Sequence, residues 1–164
     1  LTGGVPLGVL LAQRAVGGAW LSHRQSTTSM VTKTMVDAVC SVLAERGVEV
    51  VRIGGEDGLN KATATKLLGA PPQQVQALVV AGEHRTPRLA IAVSVARDGG
   101  TARKSGGKLR ELPAQLQLPV AAVLVGPGWV DRSETVTLAQ AFGGRIFTDE
   151  TVDALAALAH ELLR

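Results

Sequence analysis

Apolar residues recur along this chain with two different spacings, and the spacings alternate from segment to segment. The residues Val31, Met35, Val39, Val42 and Leu43 lie mostly three or four positions apart, which predicts a helix that ends at Arg46-Gly47. Continuous runs of β-branched and small apolar residues predict strands at 48–53, 75–82, 88–96 and 120–128, with a short edge strand at 145–149. The chain therefore alternates between helical and extended segments.

Turn signals between these segments predict how they are connected. Only "EHRTP" separates the second and third strands, which indicates an antiparallel hairpin. Further helices are predicted at 61–69, at 133–144 with Ser133 as the N-cap, and at 151–163. The glycine-rich stretch 97–107 predicts a flexible loop, although its centre could begin a helix, and Pro113 interrupts the helical turns that follow.

Composition favours a buried sheet covered by helices. Hydrophobic residues make up 46% of the chain but aromatic residues only 2%, so Val, Leu, Ile and Ala must form the core. We predict an α/β fold with a mixed central sheet of about four to five strands flanked by helices. The apolar segment 1–23, broken by glycines and a proline, is predicted to be an N-terminal arm, and 24–164 to be the α/β domain.

The single cysteine, Cys40, cannot form an internal disulfide, which favours the cytoplasm, and its simplest role is a small buried apolar residue. The three histidines have no metal-ligand spacing with it or with one another. The arm has neither a basic start nor a long uninterrupted apolar span. We therefore expect no membrane segment, and an arm that packs on the domain, on a second copy or on another protein.

Positive charge is concentrated in one stretch. The net charge of the chain is only +3. The stretch 97–110, however, contains one acidic residue, Asp98, and five basic residues: Arg97, Arg103, Lys104, Lys108 and Arg110. Basic residues interleaved with glycines can contact phosphates through side chains and backbone N–H groups. The residues are therefore predicted to bind the nucleic-acid backbone; a solvated surface loop is the alternative.

The order of the predicted elements is helix, strand, short helix, β-hairpin, helix, strand, helix, short strand and helix, which contains a core of helix, three-strand meander with a hairpin, helix and strand. The stretch "VQALVVAGEHRTPRLAIAVSV" resembles a hairpin that carries an active site, and "LPVAAVLVGPGW" with the segments after it resembles the closing strand and helices of bacterial restriction enzymes. From about residue 24 to 163 the chain thus resembles the restriction-endonuclease-like fold of the PD-(D/E)XK nuclease superfamily.

This resemblance implies metal-dependent phosphodiester cleavage, in which carboxylates hold Mg²⁺ and a lysine assists. It places the family's aspartate near Gln76 and the Glu-x-Lys pair near Ala92 and Ser94, so the motif is degenerate. The stretch 88–96 contains no carboxylate in any register. Other carboxylates could hold a metal, but each has a simpler interpretation. Asp37 would be a solvated residue of the first helix, Glu56 and Asp57 would belong to a turn, and Asp98 would cap the next segment.

Three hypotheses remain from the sequence. The first is a DNA-associated nuclease-fold domain with a degenerate metal site, which binds double-stranded DNA or serves as a scaffold in restriction, defence or repair, with a possible homodimer or protein partner. The second is an active Mg²⁺-dependent DNA endonuclease with a rearranged or mutated site. The third is a Rossmann-like domain that binds a protein or small molecule, although its glycine-rich turns match no nucleotide-binding motif.

Overall fold

The computed structural model describes residues 29–56 and 58–164, so the predicted N-terminal arm lies outside the described residues. The first described helix, α1, covers residues 29–45. Its buried face consists of Val36, Val39 and Leu43, at the spacing that the sequence predicts. After α1 the chain turns at Gly47, whose φ of 76° is a conformation that glycine adopts without steric cost.

Strands and helices alternate through the rest of the described chain. The strands are β1 (Val50–Arg52), β2 (Ala77–Ala81), β3 (Thr86–Val95), β4 (Val120–Val125) and β5 (Ile146–Phe147). The helices are α2 (Lys61–Leu68), α3 (Gly99–Leu109), α4 (Leu112–Gln115), α5 (Ser133–Ala141) and α6 (Val152–Leu163). Short 3-10 turns lie at Pro127–Trp129 and Asp149–Thr151.

The five strands form one mixed sheet in the order β1-β2-β3-β4-β5. The first three are antiparallel, with a bulge or irregularity between Val79 and Val80, and this arrangement confirms the predicted hairpin. Strand β4 is parallel to β3, and β5 is parallel to β4. The predicted α/β class with a mixed sheet of four to five strands is therefore confirmed.

The sheet is covered on both faces, and alternate residues of β3 enter different cores. Leu89, Ile91 and Val93 enter the first core, where they meet α1 and α6. Ala90 and Ala92 enter the second core, which α2, α3, α4 and α5 complete. Burial on both faces explains why the sequence of β4 is continuously apolar. Small side chains on the second face of β3 let this helical layer approach the sheet closely.

The prediction of a flexible loop at 97–107 is wrong, because most of this stretch is helix α3. Asp98 caps the helix by accepting a hydrogen bond from the Thr101 backbone N–H at 2.8 Å. Ala102, Gly106 and Leu109 then form a buried face. Each glycine lowers helix propensity by about 1 kcal/mol relative to alanine, so the composition favours a loop. Packing of this face against the second core overrides that preference.

Two boundaries also differ from the predictions. Ser133 is the first residue of α5, and Arg132 occupies the N-cap position without a side-chain cap. Pro113 lies at the start of α4, where its missing N–H is not needed, so it begins a helical turn rather than interrupting one. Among the described residues, no helix is both long enough and apolar enough to cross a membrane.

Candidate nucleic-acid interface

The positions that the resemblance assigns to the Glu-x-Lys pair lie inside the protein. Ala92 is fully buried and Ser94 is 7% exposed. Both lie on the face of β3 that points away from α1 and toward the second core. The backbone carbonyl of Ser94 accepts a hydrogen bond from the Trp129 indole N–H at 3.2 Å. Neither side chain supplies a charged ligand, so this part of β3 offers a hard cation only one hydroxyl oxygen.

Gln76 reaches the same stretch of β3 but has a structural role. Its Oε1 accepts a hydrogen bond from the Val93 backbone N–H at 2.6 Å, between Ala92 and Ser94 along the chain. Its backbone N–H donates to Ile91 and its carbonyl accepts from Ile53. The side chain therefore continues the hydrogen bonding of β3 past Ala77, the first residue of β2. The three assigned positions do come together, but the amide oxygen of Gln76 is already occupied.

Asp37 is not simply solvated, as the helical pattern predicted, because it forms an ion pair with Arg52 of β1. Both residues lie on the α1 side of the sheet, so the sheet separates Asp37 from Ala92. Cys40 is half-buried one helical turn from Asp37. Burial raises the pKa of its thiol to about 11; Arg52 lowers the pKa and Asp37 raises it, each by less.

The other candidate metal ligands are dispersed. Glu56 is exposed in the connection between β1 and α2, and Asp57 lies outside the described residues. Asp98 is the N-cap of α3, which is the role that its simpler interpretation predicted. Across residues 29–56 and 58–164, no group of three or more His, Cys, Asp or Glu side chains is placed to hold a metal ion.

The five predicted basic residues come together on α3, and we call them the α3 basic surface. Arg103, Lys104 and Lys108 project from the helix, Arg110 is its C-cap, and Arg97 precedes its N-cap. All five are exposed, and within the described chain none of them forms an ion pair. Their charge is therefore available to an anionic partner.

Three other arginines of the described chain are paired with carboxylates. Arg46 lies 2.8 Å from Asp153, and Arg85 lies 3.1 Å from Glu49. Arg52 is paired as well, whereas Arg88, Arg132, Arg145 and Arg164 form no ion pair within the described residues. The α3 basic surface is distinguished by the density of basic side chains that lack an ion pair within the described chain, five of them between residues 97 and 110.

A groove of about 410 Å³ runs between α3 and α5 along one side of this surface. Arg103, Gly107 and Arg110 line it from α3, and Glu134 and Thr137 line it from α5. The groove could not be inferred from the sequence, because the glycine-rich composition of α3 predicts a loop there. The seven-residue spacing of the two arginines, equal to about two helical turns, is the signal that identifies their common side once the helix is recognised.

Trp129 packs beneath Gly106 in the second core and is not available to stack on a base. It is 5% exposed, and its packing against the domain confirms the preferred interpretation of this residue. A Cβ added at Gly106 would lie 3.7 Å from the Trp129 ring and 3.6 Å from the Cβ of Glu134. Gly106 therefore allows α3 to approach both the indole and α5.

Comparison with known proteins identifies no similar protein. The chain matches no protein-family model, no curated protein and no solved structure.

Proposed function

We propose that this chain is a nuclease-fold domain that binds double-stranded DNA through the α3 basic surface and lacks a complete metal site. It would act in restriction, defence or repair by binding or scaffolding rather than by cutting. The observation that carries the proposal is the set of five exposed basic side chains on and beside α3 that form no ion pair within the described part of the chain. Such a surface neutralises backbone phosphates and releases counterions, which gives affinity without base recognition.

The order and direction of the strands support the nuclease-fold part of the proposal. Helix α1, the antiparallel strands β1, β2 and β3, helix α3 and the parallel strand β4 occur in the order of the restriction-endonuclease-like core, with helix α2 inserted between β1 and β2. The buried alanine at 92 and the occupied amide of Gln76 support a site that has lost its ligands. A degenerate site and an intact basic surface together favour binding without hydrolysis.

The test is a charge reversal with a matched control. The triple variant R103E/K104E/K108E is compared with K33E/K61E/K66E, which makes the same change in net charge at exposed lysines of α1 and α2. Binding to a 20-base-pair duplex is measured by fluorescence anisotropy over a series of salt concentrations, and circular dichroism checks folding.

We expect the α3 variant to lose most of its affinity and the control to lose much less. The slope of log K against log salt falls by about 0.9 for each phosphate contact that is removed, and therefore by at most about 2.7 for this variant. Equal effects of the two variants would indicate attraction by overall charge and would contradict the assigned surface. Duplex cleavage that requires Mg²⁺ or Mn²⁺ would show that the metal site is functional and overturn the degenerate-site proposal.

A further inference from the structure

The basic residues of α3 are divided between the groove that faces α5, which contains arginines, and the rest of the helix surface, which contains lysines. Arg103 and Arg110 line it, whereas Lys104 does not, and Lys108 lines a separate depression with Gln73 and Gln115. The two arginines are seven residues apart, so at 1.5 Å per residue they are separated by about 10 Å along the helix. The α3 basic surface is thus divided into an arginine side and a lysine side.

The separation of the arginines lets their long side chains reach two phosphates of one nucleic-acid strand. Each strand of a duplex advances about 3.4 Å along the axis per nucleotide, and flexible arginine side chains about 10 Å apart can reach different phosphates of the same strand. A guanidinium can donate two parallel hydrogen bonds to one phosphate, which a lysine ammonium cannot do with the same geometry. Two arginines at this spacing can hold two phosphates of one backbone.

The surface of the groove leaves room for such a backbone. Gly107 lines it, and a Cβ built there has no other atom within 4 Å. The hydroxyl of Ser133 lies at the opposite wall, where it donates to the Glu134 carboxylate at 3.3 Å. Glu134 opposes a bound anion, so the groove combines two attractive charges with one repulsive charge and has a net positive lining.

We propose that this groove is the binding site for one sugar–phosphate backbone of the DNA duplex, with Arg103 and Arg110 each holding a phosphate. The inference rests on the proposed function, because it specifies which part of the α3 basic surface contacts the ligand. Lys104 and Lys108 attract the duplex from a greater distance and make no close phosphate contact.

Two double variants with equal loss of charge separate the two sides of the helix. In R103A/R110A we expect affinity for the 20-base-pair duplex to fall at least tenfold and the salt slope to fall by about 1.8, because two phosphate contacts are lost. In K104A/K108A we expect less than half of that change in slope. Equal changes in the two variants would overturn the groove as the site.

A third variant blocks the groove without changing any charge. In G107L the new side chain has open space around its Cβ, and leucine favours the helix more than glycine does, so the fold should remain intact. We expect both affinity and salt slope to fall toward the values of R103A/R110A. The G107A variant, which adds only a methyl group, is the matched control and should bind nearly as the unmodified chain does.

The outcomes separate the two proposals. If R103E/K104E/K108E binds weakly while G107L binds normally, the basic surface is correct and the groove is wrong. If R103E/K104E/K108E binds normally, the proposed function itself fails, and the groove fails with it. A folded G107L variant with weakened binding supports the groove specifically.

Discussion

The hydrogen bond from the Val93 backbone N–H to the Gln76 side chain predicts that Gln76 stabilises the folded protein, and a substitution at Gln76 tests this. In the Gln76→Ala variant the bond of 2.6 Å is lost, and the N–H of a residue that is only 4% exposed has no acceptor. A typical hydrogen bond contributes about 1 kcal/mol net, and an unsatisfied buried donor costs about 1–3 kcal/mol. We therefore expect the free energy of unfolding to fall by about 1–3 kcal/mol.

Urea denaturation measures this change directly. The midpoint should fall without a change in the m-value, because the surface exposed on unfolding stays the same. In a thermal scan, each kcal/mol should lower Tm by about 2–4 °C for a chain of this size. Gln73→Ala is the matched control, because this nearby glutamine is exposed and should change stability by no more than about 0.5 kcal/mol.

A second variant separates the hydrogen bond from side-chain volume. Gln76→Glu keeps an acceptor oxygen at the same distance from the backbone, so it should retain more stability than Gln76→Ala. If Gln76→Ala is as stable as Gln73→Ala, the Val93 N–H finds another acceptor and the structural role assigned to the glutamine is refuted.

Two further predictions concern Cys40 and Gly128. Because burial raises the pKa of the Cys40 thiol from 9.0 to about 11, the unfolded state loses this proton at lower pH, and the thiol's contribution to stability should be lost as pH rises from about 9 to 11. Native alkylation by iodoacetamide should be slow at pH 8 and fast in urea; equal rates would contradict the raised pKa. A Cβ at Gly128 would lie 2.6 Å from the Asp98 carbonyl oxygen and 2.8 Å from the Ala96 carbonyl oxygen. We therefore expect Gly128→Ala to lower the free energy of unfolding by about 1–3 kcal/mol, as measured by urea denaturation. An unchanged free energy of unfolding would contradict this crowding.

The sequence predicts well those helices and strands that are specified by residues within the same segment and do not depend on contacts with distant segments. Strand β4 is a continuous apolar run, and α2 ends at Gly69, which has a φ of 70°. The apolar stripe of α1 and the short hairpin connection are likewise local signals. Local patterns of this kind need no knowledge of distant partners, so element order and sheet class could be inferred.

The failures concern contacts between distant segments. Glycines in α3 lower its helix propensity, and the helix is stable because Trp129 and α5 cover it. The ion pair of Asp37 depends on an arginine in another element, and the hydrogen bond of Gln76 depends on where β2 stops pairing with β3. Periodicity cannot reveal these partners because it describes one element at a time. The basic residues could be identified from the sequence, but the groove that they line could not.

The unequal lengths of the strands have a consequence for how the folded molecule behaves at high concentration. The central strand β3 has ten residues and is paired on both sides, whereas the two outer strands, β1 and β5, have three and two. On β1, the Arg52 carbonyl already accepts a hydrogen bond from the Leu59 N–H, which further shortens the free edge. Short edges offer another chain few unpaired backbone groups, so this sheet is protected against the edge-to-edge pairing that leads to aggregation.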